Sequence, residues 1–164
     1  GNEYNVPILK SKLRTTAINS KLFSYLQDHL SPRKTVHGVL LDINSMGTLI
    51  IGKSGIGKSE TALELVKRGH MLVGDDRVDV FQKDFGILIG EAPQILQRYL
   101  EVRGIGIVDV VSMFGVSAYR EFKQIRLVVE LEKWESFSSF DRLGLDNQTI
   151  KYFDTEIPTV NIPV

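Results

Sequence analysis

The chain contains no cysteine. Disulfides, thiolate nucleophiles and cysteine-ligated zinc are excluded at the outset. Neither sign of charge is in excess, since Lys plus Arg and Asp plus Glu number 20 each. That balance argues against a general polyanion binder, nucleic acid included, and leaves room only for a local basic patch. No apolar run reaches the roughly 18 residues a membrane helix requires, and no signal peptide is recognisable. The sequence therefore reads as cytoplasmic, with no membrane partner. Internal repeats and low-complexity linkers are also missing. What remains is 164 residues, 43% hydrophobic and 24% charged, the profile of one globular domain. Such a chain can bury about two thirds of its unfolded surface. It opens on "GNEYNVPILKSK" and closes on "TEIPTVNIPV", which reads as a strand, so further elements are expected to cover that end.

Periodicity supplies the elements. Residues 17–30 carry Ile18, Leu22, Phe23, Leu26 and Leu30 at helical spacing, and Ser31-Pro32 stops the helix. "TVHGVLLDI", 35–43, reads as one strand, "NSMG" as a turn and "TLIIG" as the returning strand of a hairpin. From Ser59 to Arg68 the pattern is helical, with Ala62, Leu63, Leu65 and Val66 on the buried side and Gly69 just past the end. "MLVGDD" is a short buried strand ending in two carboxylates. "RVDVFQ", the turn "KDFG" and "ILIGEA" continue the sheet. "PQILQRYL", 93–100, reads as a short helix with proline in its first turn. "QIRLVVELE", 124–132, is a long strand, and "SFSSFDRLGLD" a loop. Hairpins mixed with helices predict an α/β fold whose sheet is mixed, not purely parallel.

The chemistry centres on "GKSGIGKS", 52–59, which matches G-x-x-x-x-G-K-[ST] in full. Gly52, Gly55 and Gly57, with Lys53, Ser54 and Ile56 between them, let successive N–H groups turn toward phosphate oxygens. The helix that follows adds its positive N-terminal end. Lys58 would reach the β and γ phosphates of a nucleotide, and the Ser59 hydroxyl can ligate magnesium. An apolar strand before the loop and a helix after it supply the setting that this mechanism needs.

Two further clusters bear on what is done with the phosphate. Asp75 and Asp76 end the strand after the loop's own helix, where a carboxylate can bind metal or accept a proton from an attacking hydroxyl. In "EVRGIGIVDV", 101–110, Glu101 and Arg103 share a face if the segment is a strand. They can serve metal and phosphate respectively, or pair with one another. A GTPase guanine motif of the N/T-K-x-D kind is missing, as is the H-R-D signature of eukaryotic protein kinases. A protein kinase, a small-molecule kinase and a nucleotide-gated module without phosphotransfer all remain open on this reading.

The order of "VHGVLLDI", "GKSGIGKSETALELVKRGH", "LVGDDRV", "EVRGIGIVDV" and "FDRLGLD" resembles the HPr kinase/phosphorylase family over nearly the whole chain. "EVRGIGI" is that family's signature. The resemblance implies the catalytic domain of a bacterial enzyme that phosphorylates a serine of HPr, the phosphocarrier of the sugar phosphotransferase system. It also implies the reverse reaction, phosphorolysis by inorganic phosphate with release of pyrophosphate. By resemblance, 52–59 is the nucleotide loop for ATP and Ser59 and Glu101 are Mg²⁺ ligands. Asp75 matches the general base, returning its proton in the reverse direction, and His37, Lys58 and Arg142 match further active-site residues. Residues 100–109 match the stretch needed in both directions. Asp76 and Arg103 stand beside these groups. The implied fold is a P-loop-containing catalytic domain with a mixed β-sheet flanked by helices, related to phosphoenolpyruvate carboxykinase, and the implied assembly is a homohexamer. The division expected is 1–34 as an N-terminal segment with the first helix, or a linker, and 35–164 as a catalytic domain without its C-terminal helices. Two positions depart from the family. Lys53 makes the loop more cationic than usual, and Gly74, commonly alanine, is expected to loosen the backbone beside Asp75.

Overall fold

The computed structural model describes residues 7–134 and 148–164. The chain divides into two compact units, one ending at Ser31 and the other running from Pro32. The first contains helix α1, Thr15–Leu30. It starts earlier than its apolar spacing predicts and stops where expected. Ser31 has extended backbone angles (φ −59°, ψ 133°), the conformation that a following proline imposes.

The second unit is built on a curled mixed sheet. Its strands are β1 (Arg33–His37), β2 (Val39–Ile43), β3 (Met46–Gly52), β4 (Met71–Gly74), β5 (Arg77–Asp84), β6 (Ile87–Glu91), β9 (Phe122–Glu132), β10 (Thr149–Tyr152) and β11 (Thr155–Pro163). The order runs β1-β5-β6-β9-β3-β2-β4, with β11 also on β9 and β10 on β11. The β3–β9 and β9–β11 pairs are parallel and the other pairs antiparallel. A separate hairpin joins β7 (Tyr99–Val102) to β8 (Gly106–Asp109).

Alternation along the central strands sorts the core into two layers. Val39, Leu41, Ile50 and Leu72 face a cluster that includes Ala62 and Val66 of helix α2 (Lys58–Lys67) and Leu100, Val102 and Val108 of the β7–β8 hairpin. Leu40, Leu49, Val73, Val78, Val80, Leu88 and Val128 face the other way and pack with Tyr152 and Ile157. Each fully buried aliphatic side chain contributes about 1.5–3 kcal/mol. The hairpin and α2 are thus held on one face of the sheet, around the end of β3. Among the described residues no helix is long and apolar enough to cross a membrane.

Three local readings need correction. Residues 35–43 are not one strand. The chain changes neighbours at Gly38, β1 pairing with β5 and β2 with β3 and β4. The Gly38 N–H donates instead to the Asp76 carbonyl, at 3.3 Å. Residues 93–100 are not a helix. A single 3-10 turn, Gln94–Leu96, is followed by strand β7, because Leu100 is fully buried against the α2 layer and the β8 ladder holds the chain extended. Gly74 does not loosen the backbone. It is a buried strand residue, and a Cβ there would lie 2.9 Å from the Ala92 Cβ, so the glycine permits a close approach. A short helix α3, Val110–Phe114, capped by the Asp109 side chain, was not legible as such.

Candidate active site

Strand β3 ends at Gly52, packed directly against β9. A Cβ at Gly52 would lie 2.6 Å from the Leu131 carbonyl oxygen, and the residue has φ +144°. Gly55 and Gly57 also have positive φ, +75° and +105°. The loop that results wraps the start of α2. Gly57 is the N-cap residue, and among the described residues no side chain caps the helix and nothing lies within 4 Å of where a Gly57 Cβ would be. Gly57, Lys58, Ser59 and Glu60 line the cleft, so the helix start is open to it, an arrangement suited to binding an anion. Lys58 is buried, and its ammonium donates to the Gly52 and Lys53 carbonyls at 3.1 Å each. Those two bonds tie the end of the loop back to its beginning.

Facing this loop is the turn after β4. The Arg77 N–H donates to the Asp75 carbonyl at 2.7 Å, and Asp76 between them takes φ 62°. Such a φ costs a non-glycine residue about 1–3 kcal/mol, strain of the kind that collects at working sites. The tight turn sends the two carboxylates in opposite directions. Asp75 points inward and is 4% exposed. It accepts from the Ser59 hydroxyl at 3.0 and 3.2 Å and from the Glu101 N–H at 2.9 Å. Burial pushes its pKa above the usual carboxylate range, against the pull of those donors. Asp76 points outward to His37, the last residue of β1. The His37 Nδ1 lies 2.8 Å from the Asp76 carbonyl oxygen and 3.0 Å from Oδ1.

The third wall is the β7–β8 hairpin. Glu101 sits on its outward face, and Arg103 just beyond at the tip. Among the described residues no ion pair joins the two. Arg103 reaches the loop instead, its Nη2 3.2 Å from the position of a Gly55 Cβ. A cleft of about 450 Å³ results, lined by His37, Ser59, Asp75, Asp76, Glu101 and Arg103 together with loop residues 54, 55, 57 and 58. Glu60 also lines it and was missed in the sequence. Its signal was available, because it follows Ser59 in the first turn of α2. Lys53 and Ile56 lie on the loop's other flank. Arg142 lies outside the described residues.

The donor set suits hard chemistry. Free N–H groups, an ammonium and a guanidinium can hold phosphoryl oxygens. The Ser59 hydroxyl, with the Glu101 carboxylate on the cleft wall, offers the oxygen ligands that Mg²⁺ takes. Asp75, desolvated and within reach of the loop, is placed to exchange a proton.

Residues 28–164 match the family model described as HPr Serine kinase C-terminal domain. The HPr kinase/phosphorylase of Lactiplantibacillus plantarum is 54% identical over 164 residues, all of this chain and 52% of that protein. That of Bacillus licheniformis is 52% identical over 162 residues, 99% of this chain and 52% of that protein. The chain thus spans about half the length of the curated relatives it matches. The solved HPr(Ser) kinase/phosphatase from Coxiella burnetii superposes with TM-score 0.75 at 37% identity, covering 80% of this chain and 86% of that one.

Proposed function

The chain belongs to the HPr serine kinase C-terminal domain family, and we propose that it is the catalytic part of a bifunctional enzyme acting on a serine of HPr. The observation that carries the reading is Asp75, a buried carboxylate held between the hydroxyl of the loop's Ser59 and the N–H of Glu101. A module that only sensed nucleotide would have no use for a desolvated base facing its phosphate loop.

In the forward direction ATP places its phosphates in loop 52–59. The HPr serine oxygen attacks the γ-phosphorus, Asp75 takes the hydroxyl proton, and ADP leaves. In reverse, an oxygen of inorganic phosphate attacks the seryl phosphorus. The bond to the serine oxygen breaks, protonated Asp75 returns its proton to that oxygen, and pyrophosphate leaves. Burial raises the pKa of Asp75, the direction that favours the acid form this second role needs. Lys58 and Arg103 hold charge on the transferred group. Ser59 and Glu101 would hold Mg²⁺, which when bound neutralises phosphate oxygens. His37 and Asp76 orient the rim of the cleft, and Arg142 joins the proposal on the family resemblance alone.

The remaining expectations stand as part of the same proposal. They are a P-loop fold related to phosphoenolpyruvate carboxykinase, a catalytic domain over 35–164 preceded by a linker segment, a homohexamer, a cytoplasmic setting without nucleic-acid or membrane partners, and control of sugar uptake and carbon catabolite repression. Incubation with labelled ATP, magnesium, HPr and a bacterial lysate tests the core of it. Label on an HPr serine, then its release as pyrophosphate on adding phosphate, is the expected result. Label on a metabolite, or none transferred, would reject it.

A further inference from the structure

The β7–β8 hairpin forms a two-stranded sheet of its own. Its body and its tip are held differently. Leu100, Val102 and Val108 are buried in the core layer that they share with α2, and the Glu101 N–H is bonded to Asp75. From Arg103 to Gly106 every residue is exposed. We propose that this tip is a clasp that closes over a phosphate group held in the glycine-rich loop, with the Arg103 guanidinium as its hook and Gly55 as its seat. The inference rests on the reading of the loop as a phosphate site and adds a moving part to it.

Three observations carry it. First, the tip is loose on a fixed base. Gly104 and Gly106 have φ +80° and +102°, and among the described residues nothing lies within 4 Å of where either Cβ would be. The Ile105 N–H donates back to the Val102 carbonyl at 3.1 Å, while the Ile105 side chain at the apex is 68% exposed. A segment with so few buried contacts belongs to the low-stability end of a fold, from which lids are drawn. Second, the hook already rests on the loop. The Arg103 Nη2, Cζ and Nη1 lie 3.2, 3.7 and 3.7 Å from the position of a Gly55 Cβ, so a side chain at 55 would crowd the guanidinium. Third, the guanidinium has donors to spare. Among the described residues no hydrogen bond or ion pair engages it, although Glu101 stands two residues away. A planar cation with five N–H donors, poised beside the open start of α2, lacks only an anion to grip. Phosphate supplies the acceptor oxygens and draws the tip down. The cleft has Ser54 and Gly55 on its loop side and Arg103, Gly104 and Gly106 on its hairpin side, so a ligand of the loop lies beneath the tip. The clasp therefore governs how long donor and pyrophosphate stay bound.

The test places a reporter at the apex, Ile105→Trp, in a chain whose single tryptophan is removed by Trp134→Phe; both positions are exposed. Pyrophosphate with magnesium should cut acrylamide quenching of this reporter by about half, since closure shields the tip. Hydrogen exchange of the unmodified chain over 103–106 is the second readout and should slow on the same addition. Adding Arg103→Ala should leave pyrophosphate bound in calorimetry but let it dissociate about tenfold faster, as expected when charge-assisted bonds are lost. In that variant the ligand should no longer shield the reporter or slow exchange. Pyrophosphate that binds the parent while quenching and exchange both stay unchanged overturns the clasp. So does an Arg103→Ala variant that keeps the parent's dissociation rate and shielding. Failure of pyrophosphate to bind the unmodified chain overturns the phosphate loop itself, and the clasp with it.

Discussion

Replacing Asp75 with asparagine exchanges one oxygen for one nitrogen and removes one negative charge. The site can absorb the change. The amide oxygen can still accept the Glu101 N–H, now 2.9 Å from Oδ2, and the amide NH₂ can donate to the Ser59 oxygen, now 3.0 Å from Oδ1. The Ser59 proton is then free to turn elsewhere. Binding of ATP or pyrophosphate to the loop should stay within about threefold, because none of the loop's own donors is touched. Proton exchange is lost outright, and a positioned general base commonly contributes about 10²–10⁴-fold in rate. Both phosphorylation of HPr and phosphorolysis of the phosphoprotein should fall by that factor together, since one carboxyl serves both. Stability without magnesium gives a second readout. A carboxyl whose folded-state pKa is raised above its ordinary 3.8 keeps its proton longer in the folded state than in the unfolded one. Stability is therefore full below that value and declines as pH rises through the raised pKa. Asparagine has no such decline, so the variant should gain on the parent as pH increases toward neutrality. Urea melts across pH, paired with rates and nucleotide affinity, decide the matter. Loss of affinity in step with rate would make Asp75 a ligand or a prop, and the base would have to be sought elsewhere.

Four further outcomes follow from the same geometry. Lys58→Ala should lower both rates by about two to three orders of magnitude and loosen the loop, since its ammonium joins the Gly52 and Lys53 carbonyls; near-normal turnover at saturating ATP would remove Lys58 from the transfer. Glu101→Gln should raise the magnesium concentration for half-activity by about tenfold or more while keeping its N–H on Asp75, checked by metal titration. Asp76→Asn should be milder than Asp75→Asn, within about tenfold, because its side chain faces outward to His37; equal losses in steady-state assays would reject the division of labour. Gly74→Ala should cost about 1–3 kcal/mol, since its Cβ would lie 2.9 Å from that of Ala92, and Ala92→Gly should recover part of it in a double-mutant cycle.

Legibility in the sequence followed the range of the forces involved. The β2–β3 hairpin, the loop and α2 were readable because turn chemistry, glycine placement and helical spacing act within a few residues. Ala62 and Val66 are buried as their spacing predicts. The stretch 93–100 misled because its proline and its Gln-Arg content suit a helix, while its fate is decided by β8 and the α2 layer. The break at Gly38 was hidden for the same reason, since it reflects which neighbours β1 and β2 find. At the site, Ser59, Asp75 and Glu101 could be nominated singly. The Glu101 backbone contact that anchors Asp75 could not, because a main-chain donor leaves no mark in residue identity. Glu60 was overlooked although its place beside Ser59 was plain.

Strand β9 is the common neighbour of β6, β3 and β11. This has a consequence for the order in which the molecule can be assembled. Leu49 of β3 finds its partner in Val128, and Gly52 in Leu131. While the chain emerges from the ribosome, the loop and α2 appear well before the strand that will seat them. They must wait as a hairpin and a loosely attached helix, with Leu49 and Ile50 unshielded, until β9 has been made. Pairings so distant along the chain close slowly and leave apolar edges open in the interval. Synthesis arrested before residue 122 should yield a chain that is protease-sensitive and captured by chaperones. Release past Pro163 should let the sheet close, and capacity to bind phosphate should appear only then, late and all at once.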